Sequence, residues 1–177
     1  MDEQKERARG SHKFKNTSNF DDWIILLEIE GSEFIGYQDV SCNSKIIKYR
    51  NKDENIEVVL DKTPFYAESG GQVGDKGTIK GEGIELFVND VKKDGDSFIH
   101  YCTGTFVIGK KSEVSCEVNY NRRQNTRKNH TATHLMHKAL KVVLGEHVQQ
   151  AGSFVSPDHL RFDLTHFEKI TSDEISE

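Results

Sequence analysis

The 177-residue sequence has no apolar run long enough to cross a bilayer and no charged start leading into an apolar signal region. Those absences speak against a helical membrane protein and a secreted precursor. The expectation is a soluble, cytoplasmic chain with no membrane partner. Cysteine is scarce: Cys42, Cys102 and Cys116 are odd in number, far apart and never in a Cys-x-x-Cys pair. A disulfide framework and a zinc ribbon are thereby disfavoured. Cys102 and Cys116 fall in apolar, strand-like runs and Cys42 at an expected turn, so all three read as structural thiols. Apolar residues make up only 34% against 30% charged, which supports one modest core rather than two full ones. Positive charge is also short overall, at a net −5, so the whole chain does not advertise a nucleic-acid binder.

Acids are missing from one stretch in particular. NYNRRQNTRKNH (119–130) carries Arg122, Arg123, Arg127 and Lys128 with no Asp or Glu. Four cations so close together could hold phosphates even on an acidic protein. A solvated basic linker is the alternative.

What is present is a series of short β-type runs. WIILLEI (23–29), SEFIGY (32–37), SKIIKY (44–49), IEVVL (56–60), KGTIK (76–80), IELFVNDV (84–91), SFIHYC (97–102) and SEVSCEV (112–118) are separated mostly by turn residues. Strands at such close spacing predict a small antiparallel barrel over residues 23–118. Ahead of it, MDEQKERAR closed by Gly10 reads as the tail of a longer helix, followed by polar linker to residue 22. After Asn119 the period changes. HTATHLMHKALKVVLGEH predicts a helix with an apolar arc of Met136, Ala139, Leu140, Val143 and Leu144, ended by Gly145. Two strands follow, HVQQAGSFVS and HLRFDLTH, then a capping box at Thr171–Glu174 that should open a helix. That helix has no room to bury a face, so residues 119–177 read as a truncated α/β unit. The expected fold class is α+β.

Two stretches carry chemistry. In NHTATHLMH (129–137), His130 and His134 stand at i and i+4, so their imidazoles can converge on one ion. His137 lies near the same face as a rival ligand or outer partner. No Glu follows the first histidine, so this is not the His-Glu-x-x-His of a zinc protease. Two histidines do not complete a tetrahedral site, and His147, His159 and His166 downstream are scattered. In SGGQVGD (69–75), Gly70, Gly71, Gln72, Gly74 and Asp75 form a glycine-rich loop. Its backbone N–H groups could approach RNA phosphate or the rim of a pocket, or the loop could simply need positive φ.

The block RKNHTATHLMHKALKVVLGEHVQQAGSFVSPDHLRFDLTHFEKIT (127–171) resembles the start of the editing domain of bacterial alanyl-tRNA synthetases. DKTPFYAESGGQVGDKGTI (61–79) resembles the translation-factor-like barrel that precedes that domain. The resemblance implies that His130 and His134 are zinc ligands, with a Cys and a His still to come from a motif beyond Glu177. On that basis the chain alone should hold zinc weakly and lack useful deacylase activity. It implies hydrolysis of seryl- and glycyl-tRNA(Ala) by a synthetase whose ATP- and magnesium-dependent aminoacylation domain lies elsewhere. It also makes Gln150 a recognition residue for the misacylated amino acid, an amide being able to donate to and accept from a serine hydroxyl. Thr131 and Thr133, flanking the ligands, could orient substrate or cap the helix. The basic run would contact tRNA near its acceptor end. A free-standing editing deacylase and a non-catalytic RNA-binding barrel are the competing readings.

Overall fold

The computed structural model describes residues 23–52, 55–107, 109 and 112–177. The helix tail and linker expected at residues 1–22 lie outside them. The strands are β1 (Ile24–Ile25), β2 (Glu33–Phe34), β3 (Ser41–Lys52), β4 (Asn55–Leu60), β5 (Lys62–Thr63), β6 (Gly77–Gly81), β7 (Ile84–Asp94), β8 (Ser97–Phe106) and β9 (Glu113–Val118). The main sheet runs β3-β4-β8-β7-β6-β9, and β9 pairs back onto β3 to close the barrel. Every pairing in this ring is antiparallel.

Alternation dictates the wall. In β9 the side chains of Val114, Cys116 and Val118 turn inward while those between them face water. Ile46, Val58, Leu60, Phe65, Ile79 and Leu86 complete a core from which water is excluded. Three corrections to the sequence reading follow from edges and partners. The apolar run 23–29 yields only the two-residue β1, because β9 holds Ser41–Lys45 on β3 and β1 takes the nearby Lys48 and Tyr49. Residues 32–37 likewise yield only Glu33–Phe34, paired in parallel with β5. Cys42 sits not at a turn but within β3, directly opposite Cys116.

His100, on β8, is fully buried among these strands. In the neutral ring Nδ1–H donates to the Val58 carbonyl (3.1 Å) and Nε2 accepts from the Thr63 hydroxyl (2.8 Å). Burial drives its pKa down to about 4, against a smaller upward pull from backbone hydrogen bonds. The unfolded chain therefore binds this proton first as pH falls. Stability is full above the unfolded value near 6.5 and declines toward pH 4. The loss should be about 3 kcal/mol at most. Urea titrations from pH 7 to pH 4 should show it, and a chain with His100→Gln should lack that component.

The second unit begins with α1 (Tyr120–Leu144), capped by the Asn119 side chain accepting from Arg122 N–H. The basic run is thus the first turns of the helix, not a linker. The expected start near His130 came ten residues late because the apolar arc begins only at Met136. Gly145 ends the helix as anticipated. The hairpin β10 (Gln149–Val155) and β11 (Leu160–Thr165) packs on α1, and α2 (Ser172–Ser176) opens with both halves of the Thr171–Glu174 capping box. Met136, Leu140, Val143 and Leu144 are half-buried, whereas Ala139 of the expected arc is exposed. Deepest on α1 instead are Arg123, Thr126 and Thr133. No described helix is long and apolar enough to cross a membrane.

Candidate functional site

The glycine-rich loop is docked on β10. Val73 N–H donates to the Val155 carbonyl (3.0 Å) and Val155 N–H to the Gly71 carbonyl (2.8 Å). Gly71 has φ +83°, and a Cβ there would lie 2.4 Å from the Ser153 carbonyl oxygen. Only glycine fits both the torsion and the contact. This docking carries Gln72 to α1, where its Oε1 accepts from His130 Nδ1 at 2.7 Å.

That bond has a chemical consequence. With Nδ1 donating to an amide oxygen, the neutral His130 ring keeps its lone pair on Nε2. The His130 and His134 rings have centroids 4.9 Å apart and are tilted by 50°. Two imidazoles on one zinc, with Zn–N of about 2.0–2.1 Å and tetrahedral angles, place their centroids roughly 5 Å apart. The separation of the pair matches what half of a zinc site requires. Among the described residues no third His, Cys, Asp or Glu joins it. The ring of His137 lies 5.0 Å from Phe162 of β11, and its buried Nε2 has no partner.

Arg123 is corrected outright. Rather than facing solvent and phosphate, it is buried, with Nε donating to both Asp75 oxygens at 2.9 Å. Its Nη1 donates to the Gly36 carbonyl and its Nη2 to the Pro64 carbonyl, each at 2.7 Å, and Nη2 also meets Asp75. Asp75 further accepts from Tyr66 N–H at 2.7 Å. The last acid of the glycine-rich loop and one cation of the basic run thus clamp α1 to the barrel. Arg122 is half-buried, while Arg127 and Lys128 are exposed.

Thr133 is also buried, and its hydroxyl donates to the Asn129 carbonyl (2.8 Å), so helix back-bonding occupies it. Thr131 is the threonine that lines the cavity beside His130. Gln150 is exposed at the β10 bulge, donating to Ser153 Oγ (3.0 Å), which in turn reaches the Gly70 carbonyl (3.5 Å). It therefore joins the glycine-rich loop through Ser153. Sequence reasoning missed Phe34, Tyr37 and Tyr66, which line that same cavity. Their signal was weak, because Phe34 and Tyr37 lie in a β-type run, where aromatics ordinarily read as core, and Tyr66 stands alone between strands.

The sequence matches known proteins. The family model for class II (A) tRNA synthetases matches residues 1–122, more than two thirds of the chain, and the chain belongs to that family. Within it, the chain is similar to alanine–tRNA ligases. It is 41% identical over 191 residues to that of Chlorobium chlorochromatii, covering 99% of this chain and 22% of the relative. It is 43% identical over 189 residues to that of Chlorobium phaeovibrioides and 41% to that of a Thermoanaerobacter species, again over nearly all of this chain and 21% of each relative. The chain spans about a fifth of the length of the curated relatives it matches.

Proposed function

We propose that this chain is the barrel and the first part of the editing domain of an alanine–tRNA ligase, and that it belongs to the site that hydrolyses seryl- and glycyl-tRNA(Ala). The observation that carries the reading is the His130–His134 pair, its ring centroids 4.9 Å apart, with Gln72 holding the His130 tautomer from the barrel side. Zinc bound there supplies a Lewis acid for an ester carbonyl or for water. His130 and His134 hold the ion, Gln72 orients the first of them, and Gln150 reads the amino acid from the neighbouring strand. Two further ligands, a Cys and a His, come from elsewhere in the synthetase. ATP and magnesium serve alanine attachment in a separate domain. The need for editing is physical: serine differs from alanine by one hydroxyl and glycine by one methyl, so binding alone discriminates by only about 10- to 200-fold.

The test is metal removal. A full-length synthetase stripped by chelation should lose release of serine from seryl-tRNA(Ala) and regain it with added zinc. Undiminished release by the metal-free enzyme would overturn the reading.

RNA contact narrows to the exposed cations. Arg127 and Lys128 make no ion pair among the described residues, so both are free to meet phosphate. Replacing both with Ala should flatten the log–log salt slope of tRNA binding by up to about two. An unchanged slope would reduce them to a solvated helix face. Arg123 is excluded from this test because its loss would disturb the fold.

A further inference from the structure

A cavity of about 420 Å³ opens between the barrel and α1, beside His130. Phe34, Tyr37 and Tyr66 line it from the barrel, and Arg127, His130 and Thr131 from the helix. The aromatics form one set. The Phe34 ring stacks on Phe98 at 5.5 Å and meets Tyr37 and Tyr66 edge-on at 5.0 and 6.2 Å. Tyr37 is 85% exposed, so barrel packing does not account for it. Among the described residues no Asp or Glu lines the cavity, and its Arg123 is already neutralised by Asp75. Arg127 is the cation left for a ligand.

We propose that this cavity receives an unpaired nucleobase from the 3′ end of an RNA strand, stacked on the Tyr37 face with Arg127 on the adjoining phosphate. The proposal rests on the reading of the site as a tRNA-ester hydrolase and assigns where the terminal nucleoside lies relative to the histidines. Three features select this ligand. An exposed aromatic face on Tyr37 beside a free arginine suits a flat heteroaromatic ring carrying negative charge. The volume lies within the roughly 300–1,000 Å³ of pockets that enclose drug-sized molecules, whereas a seryl or glycyl group would leave most of it empty. The acid-free lining disfavours a basic peptide.

The probe is a synthetic RNA hairpin ending in single-stranded ACCA, with 2-aminopurine replacing the terminal adenine. This chain should bind it and quench the 2-aminopurine emission, and a hairpin lacking the terminal base should bind more weakly. Tyr37→Ala should weaken binding by roughly 5- to 150-fold while leaving the circular dichroism and unfolding midpoint unchanged, as befits an exposed side chain. Tyr37→Phe should restore most of the loss. Absence of binding, binding without quenching, or a Tyr37→Ala chain that binds like the parent would each overturn the proposal. The probe carries no amino acid, so these outcomes are independent of whether the site hydrolyses an ester.

Discussion

Replacing Asp75 with Ala should unfold much of the population near physiological temperature. The carboxylate answers a guanidinium that is itself buried, both side chains being 8% exposed. Removing one partner of such a pair costs about 3–5 kcal/mol, because the remaining charge is left without water or a counter-ion. Total stability of a domain is only about 5–15 kcal/mol. Two hydrogen bonds from Arg123 to the Gly36 and Pro64 carbonyls survive, but neither acceptor carries a full charge. Urea titration of the Asp75→Ala chain, read by circular dichroism, measures the loss. A change below about 1 kcal/mol would show that the clamp is dispensable and that α1 is held to the barrel by other contacts. The consequence reaches the site, since the same clamp sets α1 against the loop that carries Gln72.

His130→Ala in the full-length synthetase should abolish release of serine from seryl-tRNA(Ala) and leave alanine attachment nearly unchanged. The residue is proposed to supply one of the two zinc ligands found among the described residues, and a tetrahedral site does not survive on the remainder. Gln72→Leu provides the graded comparison. It keeps the ligand and removes the acceptor that fixes its tautomer, so zinc affinity should fall by roughly 10- to 100-fold. Zinc competition and deacylation rates, measured on both variants, check the order. Equal retention of zinc by the His130→Ala enzyme would sink the assignment of that residue as a ligand.

Much of this molecule is legible in its residues. The turn-separated β runs predict a small barrel, and the barrel closes, because an alternating pattern leaves each strand one apolar face to bury. The His-x-x-x-His spacing brings two rings together for the same kind of local reason: 3.6 residues per turn places i and i+4 on one face. Capping residues at Thr171–Glu174 and Gly145 act on their own neighbours, and they end and begin helices where expected.

Most of the failures share a cause in distance along the chain. Nothing in NYNRRQNTRKNH separates Arg123, buried against an acid 48 positions earlier, from Arg127, which faces solvent. Both are arginines in an acid-free run, and only the approach of α1 to the barrel divides them. The composition of the glycine-rich loop does not say what it packs on; β10, some 80 residues on, pins it and makes Gln72 a partner of His130. Strand β1 is short because another strand holds much of the edge it would use. The sequence by itself thus determined the periodic elements, their caps and the histidine pair, all set by contacts within a few residues. Tertiary structure alone decided which cation is structural, which threonine faces the cavity and which aromatics stand beside the histidines. Those outcomes depend on burial and on partners that only the folded chain brings within hydrogen-bonding reach.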